Sequence, residues 1–180
     1  MKFSKVMLLS LFAIGLAVAT FSCSSSGDAV TASAGQGVLS VRVHDDPSDQ
    51  IDQAWITFTG VNAVSADGTR VEVSGSDLMG DPIDLAALIN GNEEELAVGT
   101  VPAGNYTKVE LIISAVELVL TDGSSVNLPM VGTGFALVVD ATFEVVEGDE
   151  TVLRVDIPLT SFTVGPNGSW QINAGSASAR

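Results

Sequence analysis

From Gly37 onward the chain runs in short stretches where every second residue is apolar, broken by glycine, aspartate, asparagine and proline. A period of two marks strands with one buried face. "GVLSVRVHD" places Leu39, Val41 and Val43 on one side and Ser40, Arg42 and His44 on the other, which predicts a strand with an exposed histidine. "AWITFTGVNAVSADGTRVEVSG" reads as two strands joined at Asp67-Gly68, a pair suited to a type I′ turn with positive φ at both central residues. "YTKVELIISAVELVLTDGSSVNLPM" repeats that design around Asp122-Gly123. "FALVVDATFEVVEGDETVLRVDIPL" predicts a third hairpin turning at Glu147-Gly148-Asp149, and "SWQIN" a last short strand. About seven to nine strands at this spacing predict an all-β fold, an antiparallel β-sandwich. Trp55, Phe58, Phe135, Phe143 and Phe162 are the large residues available to fill its core.

One stretch breaks the pattern. In "DPIDLAALING", Pro82 suits a first helical position, Leu85, Leu88 and Ile89 share a helical face, and Gly91 suits a stop. The expectation is one short helix capping an open end of the sandwich, since two turns do not stand alone in water.

The first 36 residues follow a different logic. Lys2 and Lys5 precede an apolar run, "VMLLSLFAIGLAVATF", of signal-peptide length. It is short for a permanent span, which takes about 20 apolar residues. Cys23 is the single cysteine, so no internal disulfide can form. Small Ser22 stands before it and "SSSGDAVTASAGQ" follows without an apolar face, the composition of a flexible tether. The arrangement resembles a bacterial lipoprotein processing site, with residues 1–22 as signal peptide, 23–36 as tether carrying a lipidated Cys23, and 37–175 as the folded domain. Thr20 and Phe21 depart from the usual residues there, and the simpler alternative is an ordinary secretory signal with an incidental cysteine. Ser24 stands where an aspartate resembles an inner-membrane retention signal, so the expected location is the cell envelope, as an outer-membrane lipoprotein facing the periplasm or the surface. The membrane partner is reached through acyl chains, each methylene contributing about 0.8 kcal/mol.

Charge narrows the partners. The whole chain carries −15, and loss of residues 1–22 leaves five basic against 22 acidic residues, a net of −17. Such a domain lacks the basic surface that binds nucleic acid by counterion release, and anionic headgroups repel it.

Candidate chemistry centres on "HDDPSDQID". Asp45, Asp46, Asp49 and Asp52 offer hard oxygen ligands beside the single histidine, His44, and Ca²⁺ takes six to eight such oxygens. The spacing is not that of an EF-hand, and the competing reading is a turn around Pro47 whose aspartates bond nearby amides. One histidine makes no zinc site without partners, and no "G-x-S-x-G" elbow supports a serine triad; neither phosphate-cradling nor "H-E-x-x-H" motifs occur. The sequence therefore points away from an enzyme and from a resident cofactor, with calcium as the one ion the oxygens suit. Tyr106 in "PAGNY" reads as a corner tyrosine bonded to backbone, against the alternative of a sugar platform. Trp55, in an apolar run, reads as core or half-core; Trp170, beside Asn167-Gly168-Ser169, reads as exposed and is the candidate ligand-stacking residue. Glu93-Glu94-Glu95 reads as a solvated loop.

Several ordered motifs together resemble the bacterial and archaeal family called domain of unknown function 4382. They are "G-x-L-x-V-x-x-x-D-x-P" from Gly37 to Pro47, the acidic loop before Trp55, "D-L-x-x-L-x-N-G" from Asp84 to Gly91, "P-A-G-x-Y-T" from Pro102 to Thr107, and the Asp122-Gly123 turn. The resemblance spans residues 37–160 and loosens in "SFTVGPNGSWQINAGSASAR". It implies a secreted or lipid-anchored β-sandwich and carries no catalytic residues. Two functions follow as expectations: a non-catalytic envelope module that binds a glycan or protein partner or is purely structural, or a Ca²⁺-organised binding domain using the Asp45–Asp52 loop.

Overall fold

The computed structural model describes residues 35–75, 78–130 and 132–180. Cys23, the predicted leader and the tether up to residue 34 lie outside the described residues. The fold is all-β. Its first sheet contains β1 (Gln36–His44), β5 (Glu94–Pro102), β9 (Glu150–Asp156) and β12 (Ser178–Ala179), in the order β12-β9-β1-β5. The second is built on two long strands, β2 (Ile51–Ser65) and β6 (Gly104–Leu120). β3 (Arg70–Glu72) and β4 (Pro82–Asp84) flank β2; β7 (Ser125–Asn127) and β8 (Phe135–Val145) flank β6. A small hairpin of β10 (Phe162–Val164) and β11 (Trp170–Ile172) stands apart.

The inward residues of both sheets make one apolar core. Leu39, Val41 and Val43 of β1 are fully buried, as the alternation predicts. On β2 the inward set is Ala54, Ile56 and Phe58, then Val61 and Ala63; on β6 it is Val109, Leu111 and Ile113, then Val116 and Leu118. Both strands skip a step at the same place, where the ladder is irregular at Thr57/Phe58 and Phe58/Gly60. An extra residue in a strand turns the following side chains to the other face and bends the sheet. β8 enters beside this bend at Gly134, whose φ is +135° and whose missing Cβ would run into the Ile113 carbonyl.

Five expectations are corrected. The helix is not there: Pro82–Asp84 is a strand paired with β2, followed by one 3₁₀ turn, Leu85–Ala87. Asp84 explains this, since its Oδ1 accepts N–H bonds from Ala54 (2.9 Å) and Ala86 (3.1 Å), tying the segment to β2 before a helix can propagate. Leu85 and Leu88 are buried, so the stretch still covers the core. The strand count is 12 among the described residues: beyond the expected set are β5, whose alternation breaks where Leu96 and Ala97 are both buried, and β4, β10 and β12, of two or three residues each. One pairing is parallel, β1 with β9, within an otherwise antiparallel set. The supposed third hairpin is a crossover: β8 pairs with β6 in one sheet and β9 with β1 in the other, and the turn at 146–149 carries the chain between them. The two remaining hairpins form as expected, with a different turn. Gly68 N–H donates to Ser65 O (2.9 Å) and Gly123 N–H to Leu120 O (2.9 Å). Only the glycines have positive φ, +87° and +83°, so these are type I turns closed by a left-handed glycine rather than type I′.

Candidate functional site

The least conventional part of the domain is the joint where β1 ends. The alternation that buries Leu39, Val41 and Val43 continues to Asp45, which therefore points inward and is 3% exposed. Its Oδ1 accepts the Leu159 N–H (2.8 Å), its own N–H donates to Leu88 O (3.2 Å), and its Oδ2 is buried without a partner. The chain after β9 is strapped across this joint, with Ile157 N–H donating to His44 O (3.2 Å). Burial pushes the Asp45 carboxyl up to about 7; the Leu159 and Asp46 amides oppose the rise, and the charges of Asp156 and Asp46 add to it.

His44 faces the other way, opposite Asp156 in the parallel β1–β9 register. The expected exposure is corrected: its side chain is 13% accessible, with Nδ1 3.7 Å from Asp156 Oδ1. That is too long for a hydrogen bond, and His44 Nε2 and Asp156 Oδ1 are buried without bonded partners. Asp156 is raised chiefly by burial, with His44 and Arg180 opposing and Asp46 adding. Ser161 is also fully buried, and its Oγ has no partner. Among the described residues neither Ser161 Oγ nor His44 Nε2 has a hydrogen-bond partner, so the two are not bonded to each other.

The four aspartates do not converge. Asp45 turns into the core end while Asp46, Asp49 and Asp52 are exposed. Among the described residues no three His, Cys, Asp or Glu side chains gather as they would around a metal ion. The loop is a turn with one carboxylate folded under it.

The far end of the sandwich holds the predicted corner tyrosine. Tyr106 is 2% exposed, its hydroxyl donates to Pro102 O (2.7 Å), and its ring stacks on Phe143 at 5.3 Å. A hollow of about 440 Å³ opens beside it, between Pro102–Tyr106 and the Asp67 turn. Its carboxylate is already engaged: Asp67 is held down at about 2 by the Ser65 hydroxyl and the Thr69 amide. A family model described as domain of unknown function (DUF4382) matches residues 36–174. The chain belongs to the DUF4382 family. No curated protein and no solved structure matches it. The DUF4382 match runs past residue 160 and takes in β10 and β11, so the C-terminal stretch that departs from the motifs is still part of the family domain.

Within that DUF4382 domain, Trp170 is half-buried against the core rather than displayed. With Phe135, Leu128 and Pro129 it walls a cleft of about 260 Å³ whose one polar side chain is Gln171. Glu93–Glu95 is likewise not a solvated loop. Glu93 pairs with Arg154 (2.6 Å) and Arg42 (3.8 Å), while Glu95 reaches Arg42 (3.7 Å) and the Ser40 hydroxyl (2.9 Å). Trp55 is the residue the sequence reading placed least well: it lies on the outer face of the second sheet, outside the core cluster. Its strict alternation with Ile56 and Phe58 was the available signal.

Proposed function

We propose that this DUF4382 chain is a non-catalytic, lipid-anchored module of the cell envelope that holds a β-sandwich away from the membrane for binding. What supports this is the order of parts along the chain: a basic-apolar leader, the lone Cys23, a Ser-Gly-Ala tether, and then β1. The direction of β1 gives the arrangement a geometry. Gln36 sits at the Tyr106 end, opposite Pro102, and His44 ends the strand at the other pole. The chain therefore enters β1 at the Tyr106 end, which is proximal to the tether, while the Asp45 joint and the first half of β2 lie at the distal pole.

The test is the fate of a Cys23→Ala chain expressed in a diderm bacterium. Wild-type protein should partition with membranes and accumulate as precursor under globomycin, while the variant should be recovered soluble. Membrane partitioning that is identical for both, with no precursor under globomycin, would refute lipid anchoring.

A further inference from the structure

The outer face of the second sheet carries an in-register row across four strands. Asp84 of β4 stands beside Trp55 of β2, Trp55 opposite Glu117 of β6, and Glu117 opposite Asn127 of β7. Their strand neighbours Ile83, Ala54, Ile56, Val116 and Leu118 are buried inward, so the row faces outward. Directly opposite residues lie about 5 Å apart and can share one sugar unit, while the whole row spans about 14 Å, the length of a short oligosaccharide.

The row is chemically uneven. Trp55 is half-buried, which fixes an indole at the surface, while Glu117 and Asn127 are exposed. Among the described residues Glu117 and Asn127 have no side-chain hydrogen-bond or ionic partner. Asp84 adds a second, fixed carboxylate, held by Ala54 and Ala86 N–H groups. The cations of the domain lie elsewhere. Arg70 is committed to Glu110 and Lys108 to Asp140 at the proximal half of this sheet, while Arg42, Arg154 and Arg180 belong to the other sheet.

We propose that this face binds an oligomer of a cationic amino sugar: the C–H face of one pyranose on Trp55, its ammonium on Glu117, and the neighbouring units toward Asp84 on one side and Asn127 on the other. The charge selects the ligand class. An aromatic face flanked by carboxylates attracts an ammonium both through the ring and through Coulomb's law. A domain of net −17 rejects acidic glycans and nucleic acids. The free side-chain amide of Asn127 at the end of the row suits a ring bearing hydroxyls better than a bare alkylammonium. The proposal rests on and deepens the envelope-module reading by naming its ligand, and Trp55 lies in the half of the domain away from the tether.

The experiment titrates the full-length chain, solubilised in a polyoxyethylene detergent that carries neither sugar nor ammonium, with a glucosamine tetramer, followed by tryptophan fluorescence and calorimetry. The N-acetylglucosamine tetramer and choline serve as comparisons. Saturable binding of the glucosamine tetramer is expected. Glu117→Gln should weaken it by about fivefold or more, with loss of its salt dependence, and Trp55→Ala should abolish it. Glu117 is exposed, so its variant tests the idea even if Trp55→Ala fails to fold. Equal binding of the N-acetylated tetramer would overturn the role of charge, and equal binding of choline would overturn the role of the sugar ring. The same loss from Glu144→Gln, on β8 of the proximal half, would reduce the effect to diffuse attraction and overturn the site, as would no binding at all. Because the protein is in detergent, these outcomes leave the anchor to be judged separately by Cys23→Ala.

Discussion

The Asp45 joint should make the domain's stability fall as pH rises from about 4 to about 7. Asp45 is 3% exposed and its carboxyl is raised by burial from 3.8 to about 7. A group whose folded pKa is raised binds its proton more tightly in the native state, so its stabilising contribution is complete below the unfolded value. It is then lost as pH climbs through the folded value. A rise of about three pKa units corresponds to about 4 kcal/mol between the two ends of that window. Asp45→Asn should remove the dependence, because an amide keeps an oxygen for the Leu159 N–H and does not ionise. Urea denaturation of the full-length chain, followed by tryptophan fluorescence between pH 4 and pH 8, is the assay. The two proteins should have similar stability at pH 4. At pH 8 the variant should be more stable by up to about 4 kcal/mol, equivalent to roughly 10 °C in Tm for a domain of this size. Asp67 does not blur the comparison. Its carboxyl is lowered to about 2, so its contribution is lost below pH 4, outside the window. Asp156, raised in the same direction, is present in both proteins and cancels in the difference apart from its charge coupling to Asp45. Parallel pH profiles for wild type and Asp45→Asn would refute the reasoning, since they would mean that Asp45 does not change protonation between folded and unfolded states in this range.

Three further predictions follow from packing. Tyr106→Phe keeps the ring on Phe143 but strands the Pro102 carbonyl, and should cost about 1–2 kcal/mol in urea titrations; an unchanged midpoint would remove the corner bond from the account. Gly134→Ala should cost about 1–3 kcal/mol and loosen β8, seen as faster amide exchange over Phe135–Val139, because φ is +135° and the Ile113 backbone occupies the Cβ position. Arg70→Ala should lower the melting temperature by leaving Glu110 buried without its cation, and adding Glu110→Val should restore it; a double variant no better than the single one would show that the pair is not the source of the loss.

Much of the fold is legible because alternation is local. β1, β2 and β6 announce themselves by period, and the glycines of both hairpin turns mark where the chain must reverse. What is not legible is non-local. The parallel β1–β9 pairing joins residues more than a hundred apart in sequence, and nothing in "ETVLRVD" says that its neighbour is "LSVRVH" rather than the preceding β8. The helix expectation fails for a related reason. Leu85, Leu88 and Ile89 have helical spacing, yet the competing bond that decides the matter comes from Asp84 to Ala54, thirty residues upstream.

The site residues follow a simpler rule than the one their composition suggests. Asp45 reads as one of four clustered acids, and Trp55 as one of a run of apolar residues, because the eye groups neighbours by type. A strand groups them by parity. Leu39, Val41 and Val43 put Asp45 inside, and Ile56 and Phe58 put Trp55 outside. Both misplaced residues thus sit where alternation sends them and against what their chemistry favours, a carboxyl under the core's end and an indole on the surface. Local inconsistencies of that kind persist where something compensates for them. For Asp45 the compensation is the Leu159 amide and a proton held to about pH 7. For Trp55, half-buried on the outer face opposite Glu117, the compensation is what the proposed amino-sugar ligand would supply.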